Sequence, residues 1–228
     1  MRAACLVAAL LLAPIARADD EQCRLALGRG WPPATENYGK AVEQLFAGDS
    51  QPALRFTLLP KTGVESGVLL IPGADGGDWT LRRAVADQRV HYWGPTQLEL
   101  RTAQAPATDE ASMPAAVATR LVDEWRHALS LAAPEGSAAP FSEGDTWLFV
   151  AGDLRASGLK PDCELGELLR DQIDLLIEAS DEGDEKRQKR WRQLGESLDR
   201  MRQTVDGPPA PSESDAAPEK RSAWSLFK

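Results

Sequence analysis

The chain has 228 residues, and its 35 acidic side chains outnumber 26 basic ones, so the formal net charge at pH 7 is −9. Phosphate repels such a balance, which argues against a general nucleic-acid binder. The length suits one domain, or one domain with an appendage.

Residues 1–18 have the pattern of a cleavable secretory signal. Arg2 supplies the positive charge, residues 3–12 are uniformly apolar, and the small residues Ala16 and Ala18 fit a signal peptidase site. The apolar run is shorter than the roughly 20 residues that cross a bilayer. We therefore expect export, with the bacterial periplasm favoured over a secretory-pathway lumen. Cleavage would remove two arginines and no acid, giving a net charge of −11.

Two cysteines, Cys23 and Cys163, would remain after cleavage. In an oxidising compartment they can pair and tie the new N-terminus to the start of a helix. The alternative is two unpaired thiols.

The first part of the mature chain predicts one short helix followed by strands. A polar lead-in covers residues 19–33, and Thr35 can cap a helix that extends to Phe46. Alternating or short apolar runs then predict strands at 54–59, 68–71, 79–85, 89–93 and 97–102. Their connections are too short for crossover helices, so antiparallel pairing is expected.

The second part predicts longer helices. Apolar residues recur at three- and four-residue steps over 109–132, with Thr108 or Asp109 as the cap and Pro114 in the first turn. A strand over 146–150 and a helix over 162–179 follow. The predicted fold class is α+β: a small antiparallel sheet of about four to six strands, packed by two or three helices, plus a charged C-terminal helix.

A charged helix is predicted over 184–205, and its apolar residues are spaced three, four, three, four. This seam can pack along the parent domain or join copies of the chain. Residues 207–228 are too polar and proline-rich to fold, so we expect a disordered tail. The predicted division is a signal peptide (1–18), a globular domain (19–180), a charged helix (181–206) and the tail (207–228).

Recognisable catalytic chemistry is missing from the sequence. His91 and His127 have no second histidine or cysteine within a helical turn, so no metal site is predicted. The G-x-S-x-G pattern of a nucleophile elbow does not occur. The glycine cluster over 72–78 lacks the Lys-Ser/Thr of a phosphate loop and is interpreted as a hairpin tip. No catalytic residue and no cofactor are predicted.

Two segments carry candidate partner-binding residues. Five bases within residues 186–192 surround a tryptophan, and the tail ends in apolar residues that resemble a tethered docking segment. The candidates are Lys186, Arg187, Lys189, Arg190, Trp191, Arg192, Trp224 and Phe227. Alternatively, the bases neutralise nearby acids through pairs such as Glu182–Lys186 and Glu185–Lys189.

These observations predict an exported, non-enzymatic accessory protein, inhibitor-like or immunity-like, that binds an unidentified envelope protein through its surface. Peripheral membrane contact and the oligomeric state stay open. Two alternatives remain: a periplasmic hydrolase whose site assembles in space near His91 or His127, and an envelope scaffold that oligomerises through residues 184–205.

Overall fold

The computed structural model describes residues 27–207, so the predicted signal peptide, Cys23 and the tail residues Trp224 and Phe227 lie outside it. Its helices are α1 (Glu36–Ala47), α2 (Ala115–Ala132), α3 (Glu164–Asp181) and α4 (Asp184–Asp206). Its strands are β1 (Leu27–Arg29), β2 (Leu54–Leu59), β3 (Ser66–Ile71), β4 (Trp79–Val85), β5 (His91–Trp93), β6 (Leu98–Leu100), β7 (Ala107–Met113), β8 (Thr146–Ala151) and β9 (Leu154–Gly158).

Seven strands form one sheet in the order β1-β9-β8-β2-β3-β4-β7, and every neighbouring pair is antiparallel. Strands β5 and β6 form a separate hairpin. The mixed α+β class and the antiparallel pairing are confirmed. The prediction of about four to six strands was too small, because the main sheet alone contains seven.

Strand β7 shows why the sheet was underestimated. The sequence predicted helix from Asp109, whereas residues 107–113 are extended and α2 begins only after Pro114. Aspartate, glutamate and alanine are poor strand formers on their own. Here the acids lie opposite arginines of β4: Arg82 Nε lies 2.6 Å from Glu110 Oε1, and Arg83 Nη1 lies 2.8 Å from Asp109 Oδ2. Full backbone pairing with β4, burial of Ala111 and Met113, and these cross-strand charge pairs together hold an edge strand that intrinsic propensity would not.

The sheet is covered on both faces. One face packs against α2 and α3, with Phe56, Leu81 and Phe149 pointing into that core, and α4 packs against those two helices. The other face packs against α1 through a second cluster that includes Leu69 and Leu148. Strands buried on both faces show long apolar runs rather than alternation, as the sequence of β8 does.

Helix α4 belongs to the same core as the domain. Its seam residues Trp191, Leu194, Leu198 and Met201 are buried in the cluster with α2 and α3. A polar network also joins the three helices: Trp125 Nε1 donates to Gln172 Oε1 at 2.6 Å, and Gln172 Nε2 donates to Ser197 Oγ at 3.1 Å. The seam is thus occupied by the protein's own helices.

We predict that Gln172→Leu lowers the free energy of unfolding by about 1–3 kcal/mol, because it leaves the buried Trp125 indole N–H without its acceptor. Chemical denaturation of the mature protein measures the change. Gln203→Leu, on the exposed side of α4, is the matched control and should change stability by less than about 0.5 kcal/mol. Equal effects of the two substitutions would contradict the role of Gln172.

The register of β1 and β9 bears on the predicted disulfide. Leu27 lies opposite Gly158. Cys23 is four residues before Leu27 in the chain, and Cys163 is five residues after Gly158. Four residues reach about 14 Å when extended. Cys163 itself is buried at the start of α3. The chain length therefore allows Cys23 to reach Cys163, and the pairing stays a prediction because Cys23 lies outside the described residues.

If the two cysteines pair, reduction of the mature protein should lower its free energy of unfolding by about 2–4 kcal/mol. Unfolding with and without a reductant measures this difference. The double variant Cys23→Ser/Cys163→Ser should be insensitive to the reductant. If reduction left the unfolding midpoint of the wild type unchanged, the predicted disulfide would be wrong.

Candidate functional site

Residues 86–106 leave the main sheet and return to it at the same place. Val85, the last residue of β4, lies opposite Ala107, the first residue of β7. The intervening segment carries the β5–β6 hairpin. The hairpin is therefore an excursion from the sheet rather than part of it.

A buried carboxylate fastens the start of this excursion. Glu65 is completely buried, and its Oε2 accepts a hydrogen bond from the backbone N–H of Val90 at 2.8 Å. Its backbone carbonyl accepts from the N–H of Ala86 at 2.9 Å. The hydroxyl of Tyr38 on α1 donates to the other carboxylate oxygen. Burial, together with this bond to Glu65, holds the pKa of Tyr38 far above its usual value.

His91 packs on the same anchor. Its ring stacks on Tyr38 with centroids 4.4 Å apart and planes 17° from parallel. Partial burial, followed by the nearby positive charge of Arg89, lowers the pKa of His91, and Glu65 only partly offsets this. Arg89 also donates to the Pro60 carbonyl at 3.2 Å, which ties the hairpin base to the end of β2. The first strand of the hairpin is therefore fixed on α1 and on the sheet.

Further contacts stiffen the hairpin itself. The Arg101 guanidinium lies 3.5 Å from the centroid of the Tyr92 ring, and the Tyr92 hydroxyl donates to Glu99 across the strands. Arg101 N–H donates to the Val90 carbonyl at 2.8 Å. At the tip, Gly94 N–H donates to the Gln97 carbonyl at 2.8 Å and closes the turn.

The tip presents a tryptophan to solvent. Trp93 is 80% exposed and precedes the turn residues Gly94 and Pro95. A tryptophan this exposed buries little apolar area in the free protein, whereas tryptophan is among the residues most enriched at binding hot spots. We call residues 91–100, with Trp93 at the tip, the Trp93 hairpin.

The basic cluster of α4 is divided by the structure. Trp191 is buried. Arg190 contacts Glu178 and Glu182, with its Nη2 lying 2.8 Å from Glu182 Oε1, and Arg187 donates to the carbonyls of Ala179 and Glu182. Lys186, Lys189 and Arg192 remain exposed.

The acidic residues near this cluster do contact its bases, but in a different pairing from the expected one. Glu182 lies before α4 and binds Arg190 rather than Lys186. The side-chain hydrogen bond from Arg190 lowers the pKa of Glu182. The surface role predicted for the exposed bases, and for Trp224 and Phe227 outside the described residues, stays a prediction.

The two histidines lie in different environments. His91 belongs to the hairpin base, and His127 is exposed on α2 with Nε2 3.9 Å from Asp206 Oδ1. Within residues 27–207, no group of three or more metal-ligating side chains is close enough to hold an ion. Over the same range, no helix has the length and hydropathy needed to cross a membrane.

Comparison of the chain with protein-family models, with curated proteins and with solved structures finds no match.

Sequence reasoning placed strands at 89–93 and 97–102 but did not select Trp93 as a site. A tryptophan next to a Gly-Pro turn in a polar stretch was the available signal. Its exposure depends on the excursion leaving the sheet, which local patterning does not specify. The role of Glu65 was equally hidden, because an isolated acid in a turn gives no sign of burial.

Acidification should loosen the base of the Trp93 hairpin. Unfolded His91 binds a proton near its ordinary pKa of 6.5, while the folded state binds it only at lower pH. The stability contributed by neutral His91 is therefore complete above pH 6.5 and is lost as the pH falls below it. We expect faster amide hydrogen exchange at Val90 and Arg101, after correction for the intrinsic pH dependence.

His91→Phe is the matched variant, because phenylalanine retains an aromatic ring for stacking on Tyr38 but does not titrate. Its hairpin amides should lose less protection than those of the wild type between pH 7 and pH 5. The same loss of protection in both proteins would show that another group controls the acid response.

Proposed function

We propose that the protein is an exported, non-enzymatic accessory or inhibitor-like factor that binds another protein through the Trp93 hairpin. The observation that carries this proposal is the 80% exposure of Trp93 at the tip of a hairpin whose base is fastened to a buried carboxylate. An aromatic side chain that is already held in place before the complex forms loses little conformational freedom on binding.

The geometry of the hairpin favours a protein partner with an apolar pocket. An indole that enters such a pocket removes a large apolar area from water, and burial of this kind stabilises a complex by about 25 cal/mol per Å² before the costs of association. The hairpin is separate from the seven-stranded sheet and its indole is 80% exposed, so a pocket can enclose the indole without opening the main core.

The net charge of the chain adds a long-range electrostatic attraction to this apolar contact. The predicted mature chain has a net charge of −11, and a charge of this size steers a basic partner during encounter. The proposed partner is therefore an envelope protein with a positively charged surface around an apolar pocket. Its association rate should fall as the ionic strength rises.

The alternative functions receive less support from the described residues. Ser130, one helical turn beyond His127, donates its hydroxyl to the His127 backbone carbonyl rather than to the imidazole. A nucleophile needs a base within hydrogen-bond reach. Oligomerisation through the apolar seam of α4 would require the buried Trp191, Leu194 and Leu198 to leave the core.

A photocrosslinking residue at position 93 tests the proposal. The labelled mature protein is incubated with envelope extract, and the crosslinked protein is identified, purified and titrated against the wild type. We expect one dominant adduct from position 93, and we expect Trp93→Ala to weaken binding by at least about 2 kcal/mol, roughly 30-fold, with the fold intact.

Phe141 offers a matched control, because it is also an exposed aromatic, at 61%, and lies in the loop between α2 and β8. Phe141→Ala should bind the purified partner as the wild type does. The proposal would be wrong if position 93 gave no specific adduct, or if Trp93→Ala and Phe141→Ala bound equally well.

A further inference from the structure

A cleft of about 480 Å³ opens on the opposite face of the sheet from the hairpin anchor. Four polar residues of α2 line it at three- and four-residue steps, so they share one side of the helix: Asp123, Arg126, His127 and Ser130. Arg29 of β1 and Asp153 of the β8–β9 turn complete its polar lining. The volume lies within the range of small-molecule sites.

Part of this lining is satisfied internally. Arg126 Nη2 lies 2.8 Å from Asp153 Oδ1, and this ion pair joins α2 to the β8–β9 turn. Ser130 donates to the His127 carbonyl at 2.7 Å. These contacts hold the rim of the cleft in place. Two other charged side chains of the lining, Arg29 and Asp123, take no part in them.

Arg29 and Asp123 carry opposite charges and make no side-chain hydrogen bond or ion pair within residues 27–207. The Nε of Arg29 is buried without an acceptor. A ligand in the cleft cannot reach an atom that has no accessible surface, so the groups of Arg29 that can bind one are its terminal guanidinium nitrogens.

We propose that this cleft binds a small zwitterion, namely a free amino acid or a short peptide. Arg29 holds the ligand carboxylate, since guanidinium matches a carboxylate in planar, charge-assisted hydrogen bonds. Asp123 holds the ligand ammonium. A simple anion would satisfy Arg29 but would face the unpaired carboxylate of Asp123, so a ligand that carries both charges fits the lining better.

Titration calorimetry of the mature protein with glycine, diglycine and triglycine tests the inference. Each added residue extends the reach by about 3.3–3.6 Å, so one length should bind best and report the spacing between Arg29 and Asp123. Acetylation of the ligand amine, or amidation of its carboxylate, should weaken binding by at least about tenfold, which corresponds to about 1.4 kcal/mol.

Arg29→Gln and Asp123→Asn should each weaken binding of the best peptide by a similar factor. Arg120→Gln is the control, since Arg120 lies on α2 but pairs with Asp199 of α4 at 2.5 Å. Thermal unfolding checks that each variant folds. The inference would be overturned if no member of the series bound, if the blocked peptides bound equally well, or if Arg29→Gln and Asp123→Asn both bound like Arg120→Gln.

This site is independent of the proposed protein-docking function. Trp93→Ala should leave peptide binding unchanged, and Asp123→Asn should leave binding of the protein partner unchanged. Failure of either proposal therefore does not decide the other.

Discussion

The need to cover the central strands on both faces governs the rest of the molecule. Strands β2, β3 and β8 contribute Phe56, Leu70 and Phe149 to one face and Leu59, Leu69 and Leu148 to the other. A sheet with two apolar faces needs two covering layers. Helices α2 and α3 cover one face and α1 the other, and the charged helix α4 extends the first core by packing against α2 and α3.

The second layer is thinner, and it is completed by the start of the excursion after β4. Ala86 and Val90 are buried with α1 on that face. Bringing this backbone over the sheet buries peptide groups that need partners. Glu65 meets that need by accepting from the N–H groups of Ala86 and Val90. The same bonds determine where the Trp93 hairpin begins.

The sequence allowed accurate prediction of elements that depend on one strong periodicity. The apolar stripes of α3 and α4 and the β3–β4 hairpin are found as expected, because burial on a single side imposes the spacing locally. Strand β7 was mistaken for helix because its pairing with β4 and the burial of its Met113 depend on residues distant in sequence. The sequence did not reveal the Trp93 hairpin or the cleft for a related reason: the exposure of Trp93 and the convergence of Arg29 and Asp123 on one cleft arise only when separate elements meet.

The two candidate sites lie on opposite faces of one sheet, and this arrangement limits how they can influence each other. The Trp93 hairpin is anchored through Tyr38 and Glu65 on the α1 face, while the cleft lies between α2 and the β8–β9 turn. Coupling requires an element with two discrete arrangements that both sites bias. The close-packed strands between them offer no second packing without opening the core, so occupation of one site should leave the other unaltered.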